Sequence, residues 1–264
     1  MERHEALDRA VKELKLTDEY YDSILLDEVQ DYWSCEVELL GKLTKRLFVV
    51  GDRNQRVYDR NEGLDAAIRI GCKEYRLKFH YRMGRKICAV GDRLRAAGTG
   101  KSLEKYCQYD EKANPSKVDV HPTASREEEL AVLKPILERQ LRAYPEEWIG
   151  VITATKNARD QAAAFLSTST LGGQVAVQAE NVKNRTFDSK SRIVVSTLHS
   201  AKGAEFRAVH FMAADEFPRY TREKAFTVVT RAKTALDVYH GGPMTGSLES
   251  ALAQREVPDL EDLF

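Results

Sequence analysis

The chain has 264 residues, of which 42% are hydrophobic and 31% charged, with a mean hydropathy of −0.48; these are the values of a soluble globular protein able to bury a real core in two small lobes or one large α/β unit. No run approaches the roughly 20 apolar residues of a membrane span, and the N-terminus, MERHEALDRAVKELKL, is charged from its second residue, unlike a signal peptide, so no membrane partner and an interior, cytoplasmic location are expected. Lys plus Arg (41) equals Asp plus Glu (41), so no global field holds the chain on nucleic acid, and any such contact must come from a local groove.

Short β-branched runs alternate with helical patterns, which predicts βα units and a mainly parallel sheet. In chain order, strands are expected at Ser23–Leu26, Arg46–Val50, Glu74–Leu77, Val118–Val120, Trp148–Ile152, Val175–Val177, Arg192–Ser196, Ala208–Met212 and Leu236–Tyr239. Ser34–Leu43 reads as a helix, as does Gly84–Ala97, where Ile87, Val90, Leu94 and Ala97 share one face. Another helix starts at Ser125, with Glu128 three residues on as its capping partner, and runs towards Tyr144 with Pro135 as the expected kink. Gly98–Ser116 reads as a polar connector between lobes and Asn181–Ser191 as a charged loop, and from Gly241 the pattern dissolves into GGPMTGSLES and an acidic tail. The expected organisation is a first lobe over 1–75, a second over 76–240 containing the 98–116 connector, and a tail over 241–264. The four cysteines, Cys35, Cys72, Cys88 and Cys107, form no short pair of the kind that opens a zinc site or a redox dithiol, and read as reduced thiols, most of them core filler.

Five segments carry chemistry. In SILLDEVQD an apolar strand ends in Asp27-Glu28, putting two carboxylates at the carboxyl edge of a parallel sheet, where open α/β folds bind ligands. In RLFVVGDRNQRVYD a second strand runs into Gly51-Asp52, with Gln55 within reach of the same edge. LKFHYRMGRKI and IVVSTLHSAKGAEF follow, and KAFTVVTRAKTAL reads as a helix carrying Thr230-Arg231-Ala232; Arg82 and Arg231 have the chemistry to meet a transferring phosphoryl group. Each segment alone has an ordinary structural reading: a strand exit, a surface arginine, a half-buried tyrosine at Tyr81, a hydrogen-bonded histidine at His199.

In this order the five resemble motifs II to VI of the superfamily-one DNA helicases of the UvrD/Rep type, in DEVQD, VGDRNQ, HYR, TLHSAKGAEF and VVTRAK. The resemblance implies RecA-like parallel sheets of the P-loop NTPase type, a truncated first lobe followed by a more complete second, and ATP with Mg²⁺ as cofactors. Asp27 would match the Mg²⁺ carboxylate, Glu28 the general base and Gln55 the γ-phosphate sensor. Tyr81 would stack on adenine, Arg82 and Arg231 would be the γ-phosphate arginines and Glu205 the ribose acid. Thr197 and His199 would face the DNA backbone, with Lys202 and Gly203 shaping that turn.

The chain also departs from the pattern. Only 26 residues precede Asp27, none of them glycine, so the GxxxxGK[ST] loop that cradles the phosphates is missing upstream. Gly98-Thr99-Gly100-Lys101-Ser102 imitates the end of such a loop but has Arg95 in place of its first glycine, and reads as a helix C-cap and linker. Asp59-Arg60-Asn61 follows Tyr58 where the family places a base-stacking aromatic, and the stretch between the third and fourth segments is too short for the large inserted subdomain. The expected activity is therefore part of an ATP-dependent helicase or translocase acting on single-stranded or partly duplex DNA, without appreciable ATPase activity alone. The alternative is a non-hydrolysing module that binds DNA, nucleotide or a protein, with a partner or second copy covering the truncated lobe. REVPDLEDLF, residues 255–264, faintly resembles sliding-clamp-binding peptides.

Overall fold

In the computed structural model, residues 3–52, 62–95, 101–179, 191–201, 203–217 and 222–253 are described. The chain divides into two compact units, Met1–Leu77 and Lys78–Phe264.

The first unit runs α1 (Arg3–Glu13), β1 (Ile24–Leu26), α2 (Ser34–Lys42), β2 (Leu47–Val49) and α3 (Gly63–Arg69). β1 and β2 pair in parallel, Ile24 opposite Leu47 and Leu26 opposite Val49. Strand alternation sorts their side chains. Ile24, Leu26, Leu47 and Val49 pack with Val29, Val37 and Ala66, while Leu25 and Phe48 are exposed on the other face.

The second unit adds α4 (Arg85–Leu94), β3 (Lys117–Pro122), α5 (Arg126–Ala143), β4 (Ile149–Thr153), α6 (Lys156–Thr168), β5 (Val175–Gln178), β6 (Ile193–Thr197), β7 (Phe206–Met212), α7 (Arg222–Val229), β8 (Ala232–His240) and α8 (Gly246–Leu252). Its six strands form one sheet in the order β3-β8-β7-β4-β6-β5, every pairing parallel. All five residues of β4 and of β6 are buried, as expected for strands covered on both faces. Ile152, Val194, Phe206 and Phe211 pack with α4, α7 and α8 on one face. Ile149, Val151, Ile193, Val195 and Tyr239 pack with α5 and α6 on the other. Gly150 lets β4 lie against Phe206, since a Cβ there would fall 2.6 Å from that ring.

Within the second face His210, fully buried, lies 2.7 Å from Gln140 Oε1 and 2.9 Å from the Tyr239 hydroxyl. An amide oxygen only accepts, so His210 Nε2–H donates to Gln140 and Nδ1 accepts from Tyr239. Gln140 Nε2 in turn donates to Asp237, whose other oxygen meets His121 at 2.9 Å.

Three expectations change. Glu74–Leu77 is not a strand: Tyr75 and Leu77 are exposed, and the pairing nearby is an isolated bridge between His80 and Cys107. The alternation in that segment has no neighbouring strand to complete its hydrogen bonds. The helix expected over Lys224–Leu236 ends at Val229, and Ala232 already pairs with Phe206 in the sheet, so strand pairing overrides the helical spacing. Residues 101–116 pack into the second unit, with Leu103, Cys107 and Tyr109 against its core and Ser116 bound to Glu111. The helix begun at Ser125, whose Oγ accepts from Glu128 N–H, runs unbroken through Pro135. Gln55, Tyr58–Asn61, Gly98–Gly100, most of the 181–191 loop, Lys202 and the 255–264 tail lie outside the described residues.

Candidate functional site

In the first unit β1 delivers Asp27 and Glu28 to its carboxyl end. Asp27 is exposed and Glu28 half-buried. Asp27 Oδ1 accepts the Glu28 N–H at 2.8 Å, and Glu28 sits in the left-handed region at φ 51°, a conformation that costs a residue with a Cβ about 1–2 kcal/mol. What holds it is Gln30. This side chain is 1% exposed; its Nε2 donates to Glu28 Oε2 and its Oε1 accepts the Asp52 N–H at 3.0 Å. One amide therefore ties the Asp27-Glu28 turn to the exit of β2, and further backbone bonds, Val29 N–H to Val50 O and Val50 N–H to Leu26 O, close the same corner. The approach requires Gly51, where a Cβ would lie 2.5 Å from Gln30 Oε1 and 3.0 Å from Val29 Cγ1. Local spacing does not reveal Gln30; its burial beside Val29, between two acids, is the signal.

In the second unit three distant segments meet at the amino edge of the sheet. Arg82 Nη1 pairs with Glu205 Oε1 at 2.7 Å, and Lys233 Nζ lies 3.6 Å from the other Glu205 oxygen. Gly84 N–H donates to Lys233 O, which docks the His80–Gly84 segment on the start of β8. Tyr81 projects its ring into solvent, 69% exposed. Arg231 is buried, and its guanidinium donates to the carbonyls of Thr227 and Ala204. Its own carbonyl accepts from Phe206 N–H, so Arg231 stands beside Glu205 in the chain's path. Lys233 joins this group without having been singled out by its sequence.

Thr197 closes β6 at the opposite, carboxyl edge. Its hydroxyl donates to Ser200 Oγ at 3.4 Å and its carbonyl accepts from Ala201 N–H, while His199 is exposed. From there only Leu198–Glu205 connect β6 to β7, which lies on the far side of β4. Parallel strands usually need a dozen or more residues for such a crossover. The short path is packed, with Leu198 and Ala201 in the core and Gly203 at φ +78°. It carries Thr197 and His199 at one end and Glu205 at the other.

Residues 1–63 match the UvrD/REP helicase N-terminal domain, and residues 192–239 match the UvrD-like helicase C-terminal domain. No match was found among curated proteins. Among solved structures, the chain is similar to the C-terminal domain of a possible DNA helicase from Lactobacillus plantarum WCFS1, with 17% identity, 64% of this chain and 91% of that one covered, and a TM-score of 0.43. The PRRSV helicase is 17% identical over 82% of this chain and 34% of its own, with a TM-score of 0.44. Arterivirus nonstructural protein 10, a helicase, is 18% identical over 89% and 42%, with a TM-score of 0.45. The chain thus spans 34% and 42% of the two viral proteins.

Proposed function

From a UvrD/Rep-like chain whose residues 1–63 and 192–239 match the N-terminal and C-terminal domains of such helicases, we propose a portion of an ATP-dependent DNA helicase or translocase with RecA-like lobes. The observation that carries this reading is the Asp27-Glu28 pair, set at the end of a parallel strand and held to the next strand by Gln30. Hard carboxylate oxygens in that position suit Mg²⁺, which when bound supplies charge stabilisation to a transferring phosphoryl group. Asp27 would hold the ion. Glu28 would accept a proton from the attacking water, its carboxylate aimed by Gln30. Gln55 would report the terminal phosphate. Tyr81, with its ring in solvent, is suited to stack on adenine, Glu205 to accept from ribose hydroxyls, and Arg82 and Arg231 to meet terminal phosphate oxygens. Thr197 and His199 would touch the backbone of single-stranded DNA, and the short Leu198–Glu205 path would link that contact to the nucleotide side.

No GxxxxGK[ST] pattern occurs in the 264 residues. Without backbone N–H groups and a lysine around the β- and γ-phosphates, these 264 residues do not contain the main anchor for the nucleotide. These 264 residues alone are therefore expected to turn over no ATP and to need that loop from a segment outside them, of the same or of another polypeptide. The test measures ATP hydrolysis by the purified chain, with and without single-stranded DNA, and again with a separately expressed fragment carrying a strand and GxxxxGK[ST]. Turnover only in the mixture, lost in Glu28→Gln, is the expected result. DNA-stimulated turnover by the chain alone would overturn the inactivity, and no turnover in any mixture would favour a second reading. That reading is a non-hydrolysing module that docks on a partner, and the apolar side chains Leu25, Phe48 and Val50, 60–76% exposed in the first unit, favour it.

A further inference from the structure

Next to Tyr81 and Arg82 the second unit holds a cluster that none of the roles above uses. His80 and Cys107 face each other across the isolated bridge, and Cys88 comes from the first turns of α4. Their candidate ligand atoms all lie within 4.8 Å of one another. Cys88 Sγ is 3.7 Å from His80 Nε2, and both thiols donate to a single oxygen, Met83 O, at 3.5 and 3.2 Å. Both cysteines are buried and His80 is half-buried, which leaves the histidine side as the way in.

The spacing of the donors distinguishes this from cysteines serving as small core hydrophobes. Tetrahedral Zn²⁺, with Zn–S of about 2.3 Å and Zn–N of about 2.0–2.1 Å, sets its sulfur and nitrogen ligands about 3.6 Å apart, and the 3.7 Å between Cys88 and His80 is that spacing. The same Nε2 lies 2.6 Å from Leu103 O, a hydrogen bond that the ring exchanges for the ion when it ligates through that nitrogen.

We propose that His80, Cys88 and Cys107 bind one Zn²⁺ ion, with water or the Met83 carbonyl in the fourth position. Burial, reinforced by the neighbouring Cys107, pushes the Cys88 thiol's pKa up in the absence of a cation. A divalent ion reverses that balance, because it stabilises the thiolate directly and releases the proton to solvent. Three protein ligands rather than four make the ion exchangeable, so a chelator removes it from the folded chain. When bound, it fastens the start of α4 to the segment bearing Tyr81 and Arg82. The proposal does not depend on what that segment binds.

The test strips the reduced full chain with a chelator, titrates it with Co²⁺ and then displaces Co²⁺ with Zn²⁺. One equivalent of Co²⁺ with thiolate-to-metal charge-transfer absorption and intense tetrahedral d–d bands is expected. Affinity should fall by roughly tenfold or more in Cys88→Ser and Cys107→Ser and stay unchanged in the Cys35→Ser/Cys72→Ser control. A weak octahedral spectrum without charge transfer, or binding indifferent to Cys107→Ser, would overturn the proposal. Should the serine variants fail to fold, the spectrum of the unmodified chain decides alone.

Discussion

Arg82 Nη1 lies 2.7 Å from Glu205 Oε1, so the two side chains proposed for opposite ends of a nucleotide, terminal phosphate and ribose, hold each other in the structure. Their side chains are 56% and 30% exposed, and an ion pair in that setting contributes at most about 1 kcal/mol. Such a pair can be exchanged for ligand contacts at little cost, and Lys233 stays near Glu205 when Arg82 leaves. Glu205→Gln should therefore lower the melting temperature by less than about 4 °C, with the same difference at low and high salt to within a degree or two. A larger loss in a thermal melt would make the pair a structural clasp and count against its release.

Gln30 and Gly51 should behave as one unit. Gln30→Leu keeps the volume but leaves the half-buried Asp52 N–H without the acceptor it has at 3.0 Å, and the lost hydrogen bond costs about 1 kcal/mol. Gly51→Ala should produce the same loss by a different route, since its Cβ would push into Gln30 Oε1. Chemical denaturation should show each change as destabilising, and the pair together as less than additive. Hydrogen exchange gives the local readout: the Asp52 amide should exchange faster in both variants. Full additivity would mean that Gly51 matters for some reason other than the glutamine.

Strain at Glu28 can be isolated by comparing two variants that both lose the bond to Gln30. At φ 51° a residue with a Cβ is penalised, whereas glycine is not, though glycine also has more freedom to lose on folding. Glu28→Gly should accordingly be more stable than Glu28→Ala by about 0.5–1 kcal/mol, measured by denaturant titration. Equal stability would place Glu28 in a relaxed backbone and remove the case that its conformation is held for function.

Much of this architecture can be read from residue patterns, and the exceptions share a cause. β4 and β6 are legible because a strand buried on both faces is a continuous apolar run bounded by breakers, as in IGVIT and IVVST. α6 is not among the expected helices, because its buried face, Ala158, Ala162, Ala163 and Leu166, is made mostly of small alanines. At Ala232 the apolar spacing continues helically, but parallel pairing with Phe206 decides. Asp27 and Glu28 can be located because an acid pair ending a strand is a local pattern. The Arg82–Glu205 pair and the clasp of Gln30 on Asp52 are settled by contacts between segments far apart in sequence, which no local periodicity encodes.

His210 makes the second unit sensitive to acid. Burial lowers its pKa from 6.5 to about 4, the nearby charge of His121 adds to that, and the attraction of Asp237 offsets only part. The ring is neutral when folded, consistent with an Nδ1 that accepts from Tyr239. Between pH 6.5 and about 4 the unfolded chain takes up a proton that the folded chain refuses, so stability falls as pH falls through that window. The whole effect is on the order of 3 kcal/mol. Asp237 acts lower still. Its burial is outweighed by the His121 bond, the charges of both histidines and the Gln140 bond, leaving its pKa below 3.8, so its contribution is lost only beneath that value. Melting temperatures should drop steadily from pH 7 to pH 4.5, and His210→Gln, though less stable at neutral pH, should show a shallower decline across the same range. An unchanged slope in that variant would assign the acid sensitivity to groups outside the Gln140, His210 and Tyr239 network.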